Sequence, residues 1–330
     1  MIISRTPLRV SLAGGGTDLP GYCDLRDGMV LSTAIDKYVH VIIQERFDDQ
    51  IHINYAKRKE VVSRVEDIRH DLVREAAIVA RLDNGFEVTT LADVPSEGSG
   101  LGSSSSLTVG LLNAFHAYHG VQTDAETLAR QACDIEITRC KKPIGRQDQY
   151  IAAYGGVRFL TFRSDGDVEV EPVAASAETL RRLESGLLLY FTGKTRRADA
   201  VLARQSRRTG TNLGSLDRIR DLARALRAEL EAGDADAAGR RLHQGWAVKK
   251  GLAKGISDRE IDALYRKALK AGALGGKLTG AGGGGFLALY APEHRRSAVR
   301  AALKGRRELP IALEPDGSKI IFNIKRRIWK

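Results

Sequence analysis

Residues 95–106 read PSEGSGLGSSSS and lie between two apolar stretches, FEVTTLADV over 86–94 and LTVGLLNAFHAYHG over 107–120. The first stretch has strand composition, and the second predicts a helix that ends at Gly120. A glycine loop between a strand and a helix places successive backbone N–H groups at a helix N-terminus, where the helix dipole favours an anion. One serine would cap this helix, whereas four consecutive serines behind three glycines exceed that need. The sequence therefore predicts a phosphate-binding loop over residues 95–107.

Two common phosphate-binding motifs do not account for this loop. The dinucleotide-binding GxGxxG motif needs a spacing that the glycines at 98, 100 and 102 do not have. The tripeptide at 193–195 reads GKT like the end of a Walker A motif, but position 188 is leucine, so the first glycine of that motif is missing. The HRD and DFG sequences of protein kinases are absent as well. The loop therefore belongs to another phosphate-binding class.

The composition narrows the function classes. A length of 330 residues suggests about two domains, and 43% hydrophobic with 28% charged residues are typical of a globular chain. The formal net charge is +11, but aromatic residues make up only 6% and are not interleaved with the basic ones, which disfavours nucleic-acid binding. Three cysteines without a CxxC pair indicate a reducing compartment. With no leader-like N-terminus and no apolar run as long as a membrane span, the sequence predicts a cytoplasmic protein that does not bind membranes.

The remaining pattern predicts an α+β order in both halves of the chain. Residues 123–140 predict a helix in which Thr123 is the N-cap and Glu126 completes a capping box. The stretches GVRFLTF and DVEVEPV predict a pair of strands. Further helices are predicted over 66–82, 195–209, 215–232, 234–252, 258–271 and 292–303, and further strands at SGLLLYFTG and in the C-terminal KIIFNIKRRIWK. The change of pattern near residue 180 predicts two domains, 1–180 and 181–330.

Two more glycine-rich elements lie on either side of the loop. Arg9-Val-Ser-Leu-Ala-Gly-Gly-Gly-Thr-Asp18 lies near the N-terminus, and Lys277-Leu-Thr-Gly-Ala-Gly-Gly-Gly-Gly285 lies near the C-terminus. With the loop at 95–107, these elements resemble the three ordered motifs of the GHMP kinases, a family that includes galactokinase, homoserine kinase and mevalonate kinase. The resemblance spans essentially the whole chain. It implies the α+β GHMP kinase fold, with an N-terminal ribosomal-S5-like domain, a C-terminal ferredoxin-like domain and the active site between them.

Further segments favour one branch of that family. Galactokinases carry Glu-His where this chain has Gly15-Gly16, and the segments AGGGTDLP and GRQDQY resemble the heptose 7-phosphate kinases, with bacterial fucokinases as relatives. The resemblance implies ATP-dependent phosphorylation of the anomeric hydroxyl of D-glycero-D-manno-heptose 7-phosphate to the 1,7-bisphosphate, which feeds synthesis of a GDP-activated heptose for a surface polysaccharide. A fucokinase or another sugar 1-kinase of the same fold is the first alternative. A non-catalytic basic binding protein is the alternative from another class.

The resemblance also assigns roles to single residues. Asp148 holds the position of the catalytic base, although from the residues alone it could equally cap the following helix. Arg9 would keep Asp148 ionised and neutralise charge that develops in the transition state. Glu136 matches the family's magnesium-ligating glutamate, although from the residues alone it is more simply a solvated helix residue. Ser104 would supply the hydroxyl ligand of the metal, or a neighbouring serine if the alignment shifts.

Two sets of binding residues complete the expected site. The nucleotide-binding set is Pro95, Gly98, Ser99, Gly100, Leu101, Gly102, Ser103, Ser104 and Ser105. The substrate-binding set is Gly14, Gly15, Gly16, Thr17, Asp18, Lys194, Arg196, Arg197, Gly282 and Gly283. Within it, Asp18 would bond sugar hydroxyls, and the glycines that replace Glu-His would open space beside the sugar.

The basic segment at 194–197 is the first choice for the distal phosphate, because a phosphate needs arginine or lysine donors. Further candidates for that phosphate are Arg146, Lys249, Lys250 and Lys277. ATP and Mg²⁺ are the expected cofactors. The expected partners are small molecules, with no nucleic acid and no membrane, and a homo-oligomer is compatible with the sequence.

Overall fold

Two β-sheets organise the molecule. The computed structural model describes residues 1–56, 58–94, 98–195, 204 and 209–324. The strands are β1 (Ile2–Ala13), β2 (Gly28–Glu45), β3 (Ile51–Tyr55), β4 (Arg58–Val62), β5 (Phe86–Ala92), β6 (Val157–Phe162), β7 (Val168–Pro172), β8 (Leu187–Phe191), β9 (Gly275–Leu278), β10 (Phe286–Tyr290), β11 (Glu308–Leu309) and β12 (Lys319–Asn323). The helices are α1 (Pro20–Cys23), α2 (Asp71–Val79), α3 (Ser103–Tyr118), α4 (Ala125–Cys133), α5 (Gln147–Tyr154), α6 (Ala177–Gly186), α7 (Thr209–Glu231), α8 (Ala237–Lys249), α9 (Arg259–Lys270) and α10 (Glu293–Ala302).

The first sheet has eight strands and forms the N-terminal part of the fold. Its order is β12-β1-β2-β5-β3-β4, and β6 and β7 continue from the other part of the long strand β2. β1 and β2 pair antiparallel over nearly the whole length of β1. The core on one side of the sheet joins strand residues such as Val41, Ile43 and Val88 to Leu111 and Phe115 of α3. Because β1 leads directly into the first glycine element, this sheet fixes the position of that loop.

The second sheet has four strands in the order β11-β8-β10-β9, with antiparallel neighbours throughout. Its core joins Leu188 and Leu287 to Ile219 of α7, Trp246 of α8 and Tyr265 of α9. The third glycine element connects β9 to β10, so this loop projects from the end of the sheet. A further cluster contains Leu8 and Leu12 of β1 with Leu187, Leu189 and Ala288 of the second sheet. This shared core holds the first and third glycine elements on the same side of the molecule.

The predicted α+β order is confirmed, and so is the strand pair, which forms antiparallel β6 and β7. The strand β12 pairs with β1, so the C-terminal end of the described chain returns to the first sheet. The division into 1–180 and 181–330 stays a prediction. Among the described helices, none combines the length and the apolar character that a bilayer crossing requires.

Several predicted boundaries were wrong. The helix expected to begin after Thr123 begins at Ala125, because Asp124 accepts a hydrogen bond from the Thr127 N–H at 2.8 Å and is the actual N-cap. That helix ends at Cys133 and continues as a π-helix over Asp134–Arg139. The helix expected over 66–82 is limited to α2, and α6 has no counterpart among the predicted helices. The stretch 195–209 lies mostly outside the described residues.

Candidate active site

The three glycine elements meet at one cleft. Its volume of about 1560 Å³ exceeds the roughly 300–1,000 Å³ typical of a pocket for one small ligand. The lining residues from the three elements are Arg9, Ser11, Gly15, Gly16, Asp18, Gly98, Ser99, Gly100, Gly102, Ser103, Ser104, Ser105, Lys277, Thr279, Gly280, Ala281, Gly282 and Gly284. The cleft therefore has room for two substrates side by side.

A partly buried ion pair lies where β1 contacts the phosphate-binding loop. Arg9 Nε donates to Asp148 Oδ1 at 2.7 Å and Nη2 donates to Oδ2 at 2.6 Å, the bidentate geometry of a strong guanidinium–carboxylate pair. Arg9 Nη1 also donates to the Gly100 carbonyl at 2.6 Å. A Cβ at Gly102 would lie 3.4 Å from Asp148 Oδ2, so the carboxylate is adjacent to the loop. Asp148 is not the N-cap of α5, since Arg146 occupies that position.

A second carboxylate, Glu136, is buried behind the serines of the loop. Ser104 Oγ, Ser105 Oγ and Gln149 Nε2 each donate to it at 2.6 Å, and Lys142 Nζ lies 3.9 Å from its Oε1. The side chain is fully buried, and burial raises the pKa of Glu136. Glu136 is therefore not the solvated helix residue that its position in the sequence permits. Glu136 lies within the π-helix Asp134–Arg139, and such segments are frequent at functional sites.

The Ser104–Glu136 pair has the donor chemistry of a Mg²⁺ site. Mg²⁺ is bound by one or two carboxylates together with substrate phosphates, and it retains several waters. Ser104 is exposed and lines the cleft, and its hydroxyl donates to Glu136, so its oxygen keeps lone pairs that can bind a cation. The described residues contain no group of three or more histidine, cysteine, aspartate or glutamate side chains that could hold a metal alone. A metal here would therefore complete its coordination with ligands from the substrate and from water.

A third carboxylate, Asp18, lies across the cleft from the loop. It accepts from the Gly16 N–H at 2.9 Å and from Gln147 Nε2 at 3.0 Å on both oxygens. Asp18 is 2% exposed, and burial raises its pKa against the opposing effect of these donors. A Cβ at Gly145 would lie 2.0 Å from Asp18 Oδ2, so only glycine fits there. The carboxylate is thus oriented by its neighbours before any ligand is present.

The first turn of α5 connects all three carboxylates. Gln147 donates to Asp18, Asp148 pairs with Arg9, and Gln149 donates to Glu136. Consecutive helix residues point about 100° apart because the α-helix has 3.6 residues per turn. Three neighbouring side chains can therefore serve three different parts of one site. The GRQDQY segment therefore helps to position all three carboxylates of the site.

The phosphate-binding loop and the third glycine element are packed against each other. Thr279 Oγ1 donates to the Ser99 carbonyl at 3.0 Å. A Cβ at Gly100 would lie 2.6 Å from the Thr279 carbonyl oxygen, and one at Gly285 would lie 2.4 Å from the Ser99 carbonyl oxygen. Gly100 and Gly285 also have φ angles of +72° and +85°, which glycine adopts without strain. Glycine is thus required at this contact for both space and conformation.

Two buried lysines lie near the Arg9–Asp148 pair. Lys249 Nζ donates to the Gly280 carbonyl at 2.6 Å, and burial lowers the pKa of Lys249 to about 8, with a further contribution from Arg9. Lys277 is 7% exposed, and its Nζ makes no hydrogen bond or ion pair with any residue that the structure describes. Burial, followed by the charges of Lys249 and Arg9, lowers the pKa of Lys277 well below its usual value. Both ammonium groups are therefore suited to meet an anionic or hydroxylated ligand.

Further residues of the cleft lining lie outside the three glycine elements. The apolar ones include Val39, Leu91, Val94 and Leu107, and the aromatic and basic ones include Tyr55, Arg58, Arg69 and His70. The rings of Tyr55 and His70 pack edge to face at 4.7 Å. A flat, mostly apolar group can pack against such apolar and aromatic side chains.

Most of the predicted nucleotide-binding residues line the cleft, with two exceptions. Leu101 is fully buried, and its carbonyl accepts from the Arg9 N–H at 3.0 Å. It therefore anchors the loop to β1 and does not face the cleft. Pro95 lies outside the described residues. The helix α3 that follows the loop begins after Gly102, and no side chain caps its N-terminus, which leaves that end available to an anion.

The predicted substrate-binding residues divide into two groups. Gly15, Gly16, Asp18 and Gly282 line the cleft. Gly14, Thr17 and Gly283 are not among the lining residues: the Thr17 hydroxyl donates to the Gly14 and Met29 carbonyls, and the Gly283 N–H donates to the Ile256 carbonyl. These hydrogen bonds stabilise the glycine-rich turns themselves.

The basic segment at 194–197 does not behave as expected where it is described. Lys194 Nζ lies 2.8 Å from Asp258 and 2.7 Å from Glu260, and the residue is not part of the cleft lining. Its charge is therefore already neutralised on the surface. Arg196 and Arg197 lie outside the described residues.

Sequence reasoning missed four contributors to the site: Ser11, Lys142, Gln147 and Gln149. The sequence does contain a feature that points to the two glutamines, since they flank Asp148 at the start of a helix. A weaker feature points to Ser11, because the alternation of β1 places it on the same face as Arg9. No such feature points to Lys142, since its approach to Glu136 depends on how the chain leaves the π-helix.

Comparison with known proteins gives evidence about the family of this chain that does not depend on the geometry of the site. Models described as the GHMP kinases N terminal domain and GHMP kinases C terminal match residues 61–156 and 216–307. The D-glycero-alpha-D-manno-heptose 7-phosphate kinase of Campylobacter jejuni is 32% identical over 92% of this chain and 93% of that protein. The L-fucokinase/L-fucose-1-P guanylyltransferase of Bacteroides fragilis is 27% identical over 91% of this chain, which corresponds to 35% of that longer protein.

A solved structure extends the similarity to the fold. A D-glycero-D-manno-heptose 1-phosphate kinase from Bacteroides thetaiotaomicron has a TM-score of 0.81 and 28% identity, and the match covers 99% of this chain and 100% of that chain. This agreement over the whole length confirms the fold that the three glycine elements predict. The names of the two heptose kinases differ in the position of the phosphate on the sugar.

Proposed function

The chain belongs to the GHMP kinase family, and we propose that it phosphorylates the anomeric hydroxyl of D-glycero-D-manno-heptose 7-phosphate. Family membership makes it a phosphotransferase with an alcohol group as acceptor and ATP as phosphoryl donor. The heptose is supported by the 32% identity with the Campylobacter jejuni enzyme over nearly the whole chain. The product would be the 1,7-bisphosphate, an intermediate for a GDP-activated heptose and a surface polysaccharide.

The observation that carries this proposal is the Arg9–Asp148 pair beside the phosphate-binding loop. Phosphoryl transfer needs positioning, charge neutralisation and a group that accepts the proton of the attacking hydroxyl. Asp148 lies next to Gly102 and keeps free lone pairs on both oxygens, so it serves as the base. Arg9 orients that carboxylate and neutralises charge as the proton moves onto it.

The phosphates of ATP would bind at the loop and at the N-terminus of α3, whose backbone N–H groups face the cleft. Ser104 and Glu136 would hold Mg²⁺, which supplies charge neutralisation to the β- and γ-phosphates when bound. Lys142, whose Nζ lies 3.4 Å from Ser104 Oγ, adds positive charge on the same side. The purine ring would pack against the apolar and aromatic part of the cleft lining, which includes Leu91 and Tyr55.

The sugar would lie on the opposite side, against Asp18. Its carboxylate keeps acceptor capacity beyond the bonds from Gly16 and Gln147, so it can accept from sugar hydroxyls. Arg196 and Arg197 remain the proposed ligands of the distal phosphate. Lys194 would have to exchange its two carboxylate partners for the phosphate, which makes it the weakest of the three.

The test is ADP release with Mg·ATP against five sugars: D-glycero-D-manno-heptose 7-phosphate, the unphosphorylated heptose, L-fucose, galactose and mannose. We expect the heptose 7-phosphate to have the highest kcat/KM. A preference for L-fucose would support the alternative that the Bacteroides fragilis similarity favours. Turnover of unphosphorylated sugars alone would contradict a distal-phosphate site. No turnover of any sugar would overturn the proposal.

A further inference from the structure

A small polar recess lies beside Gly15, between the Arg9–Asp148 pair and Asp18. A Cβ at Gly15 would lie 3.1 Å from Ser11 Oγ, 3.7 Å from Gln147 Nε2 and 3.8 Å from Lys277 Nζ. All four residues line the cleft. Because Gly15 has no side chain, the position that its Cβ would occupy is left free beside these three polar groups.

Two buried polar atoms at the recess lack partners. Ser11 is 5% exposed, and its Oγ has no hydrogen-bond partner among the described residues. Gln147 donates from Nε2 to Asp18, but its buried Oε1 likewise has no partner among the described residues. Lys277 Nζ lines the cleft beside them and makes no hydrogen bond or ion pair with a described residue. A buried polar group without a partner costs free energy, so such groups in a folded protein need an explanation. A ligand that bonds all three would supply it.

The donors and acceptors select the kind of ligand. Lys277 only donates, Gln147 Oε1 only accepts, and Ser11 can do either. The Gln147 amide orientation is set by Asp18, which accepts from Nε2 on both oxygens. A phosphate dianion brings only acceptors, so it would leave Gln147 Oε1 unpaired and would lie near the Asp18 carboxylate. A neutral hydroxyl both accepts from Lys277 and donates to Gln147.

We propose that the recess formed by Ser11, Gly15, Gln147 and Lys277 binds one hydroxyl of the sugar acceptor, and that Lys277 determines specificity for that hydroxyl. The proposal rests on the sugar kinase activity proposed above. It assigns Lys277 to a sugar hydroxyl and not to the distal phosphate. Ser11 and Gln147 complete the same site.

The test combines substrate and protein changes in one cycle. Monodeoxy analogues of the best acceptor sugar are compared with the parent for the wild type, Ser11→Ala and Lys277→Met. For the wild type, we expect one analogue to lose about 10- to 100-fold in kcat/KM, the effect of a hydrogen bond to a charged group. Lys277→Met should lose a similar factor with the parent sugar but almost nothing further with that analogue. Ser11→Ala should show the same coupling with a smaller loss.

The controls separate folding and charge from recognition. Lys270→Met removes an exposed lysine at the end of α9 and should leave all ratios unchanged. Lys277→Arg should restore part of the parent rate. If Lys277→Met does not fold, Ser11→Ala still tests the coupling, since it removes one buried oxygen.

Three outcomes would overturn the assignment. Losses that are additive for every analogue would show that no hydroxyl binds in the recess. A loss of preference for the 7-phosphate in Lys277→Met would show that this lysine binds the phosphate. A wild type that is active on no sugar would remove the proposed function as well, whereas the first two outcomes leave it standing.

Discussion

The two carboxylates Glu136 and Asp148 lie beside different residues of the same loop in contrasting surroundings. Glu136 is fully buried and receives three neutral donors, with the Lys142 ammonium at 3.9 Å. The Asp148 side chain is 22% exposed and is paired directly with Arg9. One carboxylate is thus held by neutral donors, whereas the other is paired directly with a cation and oriented by it. We refer to the Ser104–Glu136 region, the proposed Mg²⁺ site, as the magnesium side, and to the Arg9–Asp148–Asp18 region, the proposed acceptor site, as the acceptor side.

In the proposed mechanism, the first turn of α5 serves both metal binding and proton transfer. Gln149 faces the magnesium side, while Asp148 and Gln147 face the acceptor side. Metal binding needs oxygen ligands whose charge is available. Proton transfer needs a base fixed within hydrogen-bond reach of the acceptor hydroxyl. The first turn of α5 sets both geometries at once, so changes on either side should give distinct kinetic effects.

The largest effect is expected on the acceptor side. Asp148→Asn keeps the shape and one acceptor oxygen for Arg9 but removes the base, so kcat should fall by about 10²- to 10⁴-fold. The KM for ATP should change little, because the loop and Ser104 are untouched. Steady-state kinetics, with thermal unfolding as a check on folding, measure both.

Asp221→Asn is the matched control, since Asp221 is exposed and pairs only with surface arginines in the described structure. Retention of nearly full kcat by a folded Asp148→Asn protein would remove Asp148 as the base.

A smaller and different effect is expected on the magnesium side. Ser104→Ala should raise the half-saturating Mg²⁺ concentration and lower the rate, by about 10- to 100-fold together, as for the loss of a metal-site contact. Ser105→Ala is a close control because Ser105 donates to the same carboxylate at the same 2.6 Å but is buried. It should lower stability by roughly 1–3 kcal/mol, since it removes a buried hydrogen bond, and leave the Mg²⁺ dependence unchanged. The reverse result would make Ser105 the ligand.

The sequence predicted the two sides to different degrees. Arg9, Asp148 and Asp18 each lie in a short motif that the sequence shows, but the bonds that bring them together join residues 139 and 129 positions apart. The hydrogen bonds of Ser104 and Ser105 to Glu136 join residues about 30 positions apart, so they depend on how α3 packs against the π-helix. That helix replaces the continuous helix that the apolar spacing of 123–140 predicts, and no residue type in the stretch marks the change.

The basic residues were the least predictable part. Lysine and arginine look alike as basic residues in a sequence, so sequence alone ranks the phosphate candidates poorly. Burial distinguishes them: Lys249 and Lys277 are each 7% exposed, whereas Lys194 is 40% exposed and paired with two acids. The position of GKT after a strand favours Lys194, but folding places carboxylates of a later helix beside it.

The next prediction concerns the pH dependence of the acceptor side. Lys249 has a pKa of about 8 in the folded protein, so its charge is lost as the pH rises through 8. The kcat/KM for the acceptor should therefore fall above pH 8, by up to about 10-fold, because kcat/KM reports groups of the free enzyme. In Lys249→Arg this decline should move to higher pH, whereas Lys270→Arg should keep the wild-type profile.

Unfolding does not explain such a decline. The pKa of a lysine in the unfolded chain is about 10.4, so between pH 8 and that value the unfolded state binds one more proton than the folded state at Lys249. Stability from this group therefore rises with pH over the range in which activity falls. A Lys249→Arg profile identical to that of the wild type would assign the decline to another group.

The smallest effect is expected at the backbone contact between the phosphate-binding loop and the third glycine element. Gly100→Ala would place a Cβ 2.6 Å from the Thr279 carbonyl oxygen at a φ of +72°, a strain of about 1–3 kcal/mol. Gly214→Ala is the control, since Gly214 lies in α7 with nothing within 4 Å of its added Cβ, and alanine should stabilise the helix by roughly 0.5–1 kcal/mol. Denaturant midpoints should therefore move in opposite directions.

Because the Gly100 carbonyl also accepts from Arg9, kcat should fall only in Gly100→Ala. A lower midpoint with an unchanged kcat would mean that the loop contact holds the fold together but does not position the acceptor side.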